Sequence, residues 1–203
     1  GASAGGLLPT GNATDTLDVP GVGKIEVSLV DIGNAHVFLR ASDLGLTGTE
    51  TAAEIDADTD LTDKLERIRA HGAAAMGMVD PERSREVSPA TPLIGMIGPA
   101  QDYENVIGGG TIKAQECDFV SRLMFMQQMH KTYAGRLPGT IVHEACKPET
   151  LDNIIVRIGH PAGVIETETQ LEIEGNDYAV KRATLGRTAR RIMEGQVYLP
   201  KHG

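Results

Sequence analysis

The chain has 203 residues, 40% of them hydrophobic, which is enough to bury a core in one or two domains and excludes disorder as the default. Aromatic residues make up 3% with no Trp, and the formal net charge is −9. Nucleic acid, which asks for stacking platforms and a basic face, is excluded as a partner. An anionic ligand must therefore be held by local dipoles and a few Arg or His, against the overall field. Cys117 and Cys146 fit no CxxC or Cys/His ligand spacing and read as reduced thiols of a cytoplasmic protein. The sequence has no apolar run long enough for a bilayer, so no membrane partner is expected, and GASAGGLLPT lacks the pattern of a signal peptide. No Met opens the chain, and residues 1–8 read as the flexible start of a fragment.

Taken in order, Asp18 to Gly23 is a Pro/Gly turn cluster. Lys24 to Asp31 alternates Ile25, Val27 and Leu29 with Glu26 and Ser28, the period of a half-buried strand. Ala35 to Ala41 resumes in strand residues, with Asn34 at the join. Such a turn can aim one side-chain amide and two backbone N–H groups at an anion. On residue type alone the favoured reading is a plain hairpin turn in which Asn tolerates the left-handed region. Glu50 to Ile55 is a short helical piece, and Thr59 to about Met78 is an amphipathic helix capped by Asp60, with Leu61, Leu65 and Ile68 at helical spacing.

Asp80 to Val87 reads as a charged loop, and Ser88-Pro89-Ala90-Thr91-Pro92 as a stop before the apolar strand Leu93 to Gly98. Ser88 is a turn opener or a hydrogen-bond donor to a carboxylate. Pro99 to Gly110 reads as loop; its Gly108-Gly109-Gly110 lacks any phosphate-loop continuation. Asp118 to Ala134 then reads as a core helix, with Phe119, Leu123, Met126 and Met129 as its apolar stripe and His130 near its far end. From Ile154 on, IIVRIG, VIETET, LEIEG, DYAVKRATLG and RIMEGQVYLP read as closely spaced strands. His160 sits in a tight turn before Pro161. The six histidines show no HxH, HExxH or HxxxH spacing, which argues against a metal hydrolase.

The lead-in PTGN…D…LDVPG, the strand KIEVSLVDIGNAHVFL, and the later RIGHPAG and RTARRIMEGQVYLP together resemble the PrpF-type family, from Leu8 to Pro200. That family includes 2-methylaconitate isomerases, 4-oxalomesaconate tautomerases and methylitaconate isomerases, and is related to diaminopimelate epimerase. The resemblance implies an α+β domain of the diaminopimelate epimerase type: a mixed or antiparallel, barrel-like sheet wrapped around a central helix. It implies that residues 1–203 are the C-terminal domain of a two-domain isomerase, with the N-terminal domain as partner; a homodimer is allowed. A family segment is missing where Gly135 meets Arg136. The reaction implied is a 1,3-allylic shift of a double bond in a small unsaturated di- or tricarboxylate, with no cofactor. The family's acid/base lysine and its cysteine belong to the other half and have no counterpart here. The substrate-binding residues implied are Asn34, His36, Ser88, His130 and His160. Gly33-Asn34-Ala35-His36 is similar to the epimerase's Gly-Asn-Pro-His turn, with Ala35 in place of proline. The competing reading is a folded domain that binds without turning over.

Overall fold

The alternating segment forms the strand its pattern predicts, one of three that open the fold: β1 (Asp15–Val19), β2 (Gly23–Asp31) and β3 (Ala35–Arg40). They pair antiparallel in succession, with Leu17 opposite Ile25 and Val30 opposite His36. The computed structural model describes residues 4–133, 154–174, 177–186 and 195.

Three helices follow: α1 (Ala52–Ala57), α2 (Thr59–Ala75) and α3 (Pro81–Val87). Thr51 and Glu54 form a reciprocal capping box on α1. The cap of α2 is Asp58, whose carboxylate accepts the Leu61 N–H at 3.0 Å; the sequence reading placed it two residues later at Asp60. Residues 81–87, expected as loop, are helical, because Pro81 at the first turn supplies a preset φ where no N–H is needed.

The chain then enters β4 (Leu93–Pro99), which lies parallel to β3, so α1 to α3 are the crossover. Leu61, Leu65 and Ile68 of α2 pack with Val27, Leu29, Val37 and Leu39 of the sheet into one core. Each such side chain contributes about 1.5–3 kcal/mol on burial. The approach is close: a Cβ at Gly72 would stand 2.4 Å from the Val37 side chain.

A small ribbon, β5 (Tyr103–Glu104) with β6 (Thr111–Ile112), holds the triple glycine in its loop. The chain then forms β7 (Phe119–Phe125) and β8 (Gln128–Met129), an antiparallel hairpin. The helix expected over Asp118 to Ala134 is thus strand. β7 is covered on both faces, by the α2 core through Met124 and by a second core of Leu93, Phe119, Leu123, Tyr133, Val156 and Ile158. A strand buried on both sides carries no polar alternation, so its apolar run mimics a helix stripe.

The last described strands are β9 (Ile154–His160), β10 (Gly163–Glu174) and β11 (Asp177–Leu185), with VIETET and LEIEG joined in one strand. Among the described residues the main sheet has nine strands, in the order β1-β2-β3-β4-β7-β9-β10-β11 with β8 beside β7. Pairs β3/β4 and β7/β9 are parallel and the others antiparallel. The architecture is α+β, a mixed sheet packed on a helix, and that helix is α2. The Gly135–Arg136 junction, RIMEGQVYLP and Cys146 lie outside the described residues.

Candidate functional site

Strand register brings three turns to one end of the sheet. His36 at the start of β3 is opposite Leu93 at the start of β4, and Ile94 is opposite Met124 near the end of β7. The β2–β3 turn, the segment entering β4 and the β7–β8 turn therefore lie together. Loops gathered by a rigid sheet are where binding residues concentrate.

The first turn is braced from below. The buried Asp31 accepts the Gly33 N–H at 2.8 Å and the Ala4 N–H at 2.7 Å, and Gly33 takes φ 94°, which favours glycine. His36 donates from Nδ1 to the Asn34 carbonyl at 2.8 Å and stacks on Phe38, with ring centroids 5.3 Å apart. Burial pushes the His36 pKa down, against the opposing pull of that carbonyl and of the Asp31 charge. His36 is therefore a neutral strut beneath the turn. The half-buried Asn34 has no side-chain hydrogen bond among the described residues.

The second turn is held by a buried ion pair. Arg69 and Glu66, on one face of α2, form two hydrogen bonds of 2.8 and 2.7 Å. Arg69 Nη1 also donates to the carbonyls of Ser88 at 3.0 Å and Thr91 at 3.3 Å, and Nη2 donates to the Ser84 hydroxyl at 2.9 Å. The Ser88 hydroxyl donates to the Thr91 carbonyl. Ser88 thus stands at the same end as Asn34, with its hydroxyl committed to its own turn.

In the third turn Met126 (φ 52°) and Gln127 (φ 59°) are both left-handed, the geometry of a tight hairpin made without glycine. Such backbone costs on the order of 1–2 kcal/mol per residue and collects at functional sites. Gln127 Nε2 donates to Glu66 at 3.3 Å, which ties this turn to the ion pair. Phe125, Met126 and Val87 are exposed around it.

His160 lies elsewhere, against Tyr133 and close enough to His130 to feel its charge, while the His130 backbone N–H donates to the Leu123 carbonyl of β7 at 2.8 Å. His130 Nδ1 accepts the Thr132 N–H at 3.1 Å and His160 Nδ1 accepts the Ala162 N–H at 3.2 Å, so each imidazole carries its proton on Nε2 when neutral. The rings of Tyr133 and His160 are 6.1 Å apart, and Tyr133 donates to the Ser121 hydroxyl at 3.0 Å. Burial lowers the His160 pKa to about 4, helped by the charges of Arg122 and His130, so the ring is neutral at pH 7. Burial raises the Tyr133 pKa to about 12. His160 is level with Ser121 and Arg40, at the opposite end of β3 from Asn34. At about 3.3 Å per residue and 4.8 Å per strand, that is on the order of 20 Å, beyond the span of one small carboxylate.

Sequence reading missed Gln127, Glu66, Arg69 and Tyr133 as site-forming residues. Glu66 and Arg69 fall at i and i+3, a helix-face pairing open to inspection, whereas Gln127 becomes visible only once the hairpin is known. Cys117 is buried, and burial raises its pKa, the reverse of an activated thiol. Among the described residues no group of His, Cys, Asp and Glu could hold a metal ion, and no helix is long and apolar enough to cross a membrane.

The described residues form an α+β architecture, a mixed sheet backed by a helix with three turns converging at one end. A solved methylitaconate-delta-isomerase is similar with a TM-score of 0.80 and 43% identity, over 95% of this chain and 51% of that one. The chain belongs to the PrpF protein family, whose sequence profile covers residues 1–200. It is 45% identical to a 3-methylitaconate isomerase of Eubacterium barkeri, over 99% of this chain and 54% of that protein. It is 36% identical to a 2-methyl-aconitate isomerase of Shewanella oneidensis, over 97% of this chain and 51% of that protein. The chain thus spans about half the length of the curated relatives it matches.

Proposed function

We propose that this chain forms the C-terminal half of a cofactor-independent isomerase that moves a carbon–carbon double bond in a small unsaturated di- or tricarboxylate. The observation that carries the reading is the 45% identity across 99% of the chain to a 3-methylitaconate isomerase, of which that alignment covers 54%. In such a reaction a base takes a proton from the carbon next to the alkene and charge spreads into a dienolate. An acid then returns a proton two carbons away. Donors aimed at the carboxylate stabilise the developing charge. The side-chain amide of Asn34 supplies such a donor, on a turn fixed by Asp31, Gly33 and His36. Gln127 stands at the same end as a second amide, and the base and acid come from the other half.

The test is the protein with both halves present. Isomerisation of 2-methylaconitate or 4-oxalomesaconate is followed by the change in ultraviolet absorbance. Asn34→Ala should lower kcat/KM by about 1.5–3 kcal/mol, the worth of a hydrogen bond to a charged group. Unchanged kinetics in a folded variant would remove Asn34 from the site. The present chain alone should show no turnover, because half a cleft leaves the substrate in water with no base in reach. Enzyme-like rates, on the order of 1 s⁻¹ or more, from this chain by itself would overturn the two-half reading.

A further inference from the structure

β7 carries a second buried arginine that the isomerase reading does not use. Arg122 alternates with Ser121, so it leaves the face of the sheet opposite to Tyr133. Its residue surface is 1% exposed. Nε donates to the Glu50 carbonyl at 2.7 Å and Nη1 to the Ser121 carbonyl at 2.9 Å, while the guanidinium lies 5.3 Å from the centre of the Tyr103 ring. Nη2 has no hydrogen-bond partner among the described residues, and no carboxylate there forms an ion pair with Arg122. A buried guanidinium with idle donors is costly unless something completes it.

What it faces is a cavity of about 370 Å³, whose wall includes Arg122, Tyr103, Glu50, Glu54, Glu104 and Pro161. Burial pushes the Glu50 carboxyl up, but donors on Thr47 and Gly48 outweigh it and hold the pKa below the usual range. The Thr51 N–H and hydroxyl do the same for Glu54. Both are therefore ionised at pH 7. A simple carboxylate entering this space would meet three carboxylates, and a simple amine would meet the guanidinium. The charges are complementary only to a ligand that carries both signs.

We propose that this cavity is a binding site for a small zwitterion of the α-amino acid class, whose carboxylate pairs with Arg122 Nη2 and whose ammonium is held by Glu54 and Glu104. A fork of guanidinium donors suits a carboxylate, and the low dielectric at the base of the cavity strengthens the pair. The site lies on the other face of β7 and at the other end of the sheet from Asn34, so it goes beyond the isomerase reading, and its failure would leave that reading intact. It is also placed to be sensed. His160 feels the Arg122 charge through the sheet, so partial neutralisation of Arg122 by a bound carboxylate would shift the His160 ring signals.

The experiment is calorimetric titration of the full chain with L-alanine, and in parallel with acetate and with ethylamine. L-Alanine should bind at least about tenfold more tightly than either half-ligand, and should move the His160 imidazole resonances in a nuclear magnetic resonance spectrum. Glu104→Gln, on an exposed side chain that does not threaten folding, should weaken L-alanine about tenfold, and Arg122→Gln should abolish binding. Acetate binding as tightly as L-alanine would make this an anion site, and ethylamine doing so would make it only an acidic patch. Either result overturns the proposal, as would undiminished binding to Glu104→Gln or no binding at about 10 mM L-alanine.

Discussion

Arg69 and Arg122 are each 1% exposed, and they are buried for different reasons. Arg69 spends its donors on Glu66, on the Ser84 hydroxyl and on three carbonyls of the 88–92 segment. Its charge is balanced and its geometry is fully used, so it holds one of the turns at the Asn34 end. Arg122 meets two carbonyls and an aromatic face, with no ion pair among the described residues, beside a polar cavity. A buried charge that is saturated builds structure, and one that is left open is available to a ligand.

The largest effect that would break this contrast is at the saturated pair. Glu66→Ala strands Arg69 without its counter-ion and should cost about 3–5 kcal/mol, read as a fall in Tm or in the denaturant midpoint. Arg69→Met should cost a similar amount, because the Glu66 carboxylate is then left buried. The double variant Glu66→Leu/Arg69→Met should recover much of the loss, since a well-packed apolar pair often replaces a buried ion pair without penalty. A double variant no better than the singles would show that the carbonyl bonds to the 88–92 segment matter more than the charge balance.

A smaller effect belongs to the Arg122 side of the molecule and appears with pH. His160 has a folded pKa of about 4 against an ordinary 6.5. Between those values the unfolded chain binds a proton that the folded chain refuses, so stability is fully present above about pH 6.5 and falls as pH drops toward 4. With solvent screening of a partly buried ring, the loss should be about 2 kcal/mol. His160→Gln should flatten that part of the stability profile, and a slope unchanged in the variant would assign it to other groups.

The smallest expected effect sharpens the contrast. Arg122→Met leaves no carboxylate stranded and only two carbonyls short of a donor, so it should cost about 1–2 kcal/mol, less than Arg69→Met. Equal losses for the two substitutions would erase the distinction between a structural and an open arginine.

Legibility in the sequence followed how many faces of an element are covered. β2 is covered on one side along most of its length and its alternation reads directly, as does the helical spacing of Leu61, Leu65 and Ile68 in α2. In β7 every residue from Phe119 to Met124 is buried, and Phe119, Leu123 and Met126 also fit a helix stripe. The turn that would have exposed the hairpin, Met126-Gln127, has no Gly, Asn or Asp to announce it. The same effect divided the site. A turn at Asn34 is legible because a polar residue joins two strand-like segments, but its binding role comes from the family resemblance; Gln127 is hidden inside a segment that reads as helix. His130 and His160 enter through the family resemblance, and that His160 lies against Tyr133 depends on register between strands far apart in sequence.

The pairing of β7 with β9 rests on two residue pairs, Phe119 with Ile158 and Val120 with Gly159. It is reinforced where Asp118 accepts the Arg157 N–H and guanidinium at 2.7 Å each and returns its own N–H to the Arg157 carbonyl at 2.8 Å, and where the Val106 N–H donates to the Pro161 carbonyl at 3.0 Å. The ladder there is short, although Phe119 and Leu123 share a core with Val156 and Ile158 across it, so β9 to β11 should open more readily than β1 to β4 and β7. In amide hydrogen exchange the β9–β10 ladder should open at lower free energy than β2 to β4, and Asp118→Asn should widen that gap without touching the protection of the α2 core. The β11 side should therefore open first, and the turn that carries Asn34 should be among the last parts to lose its frame.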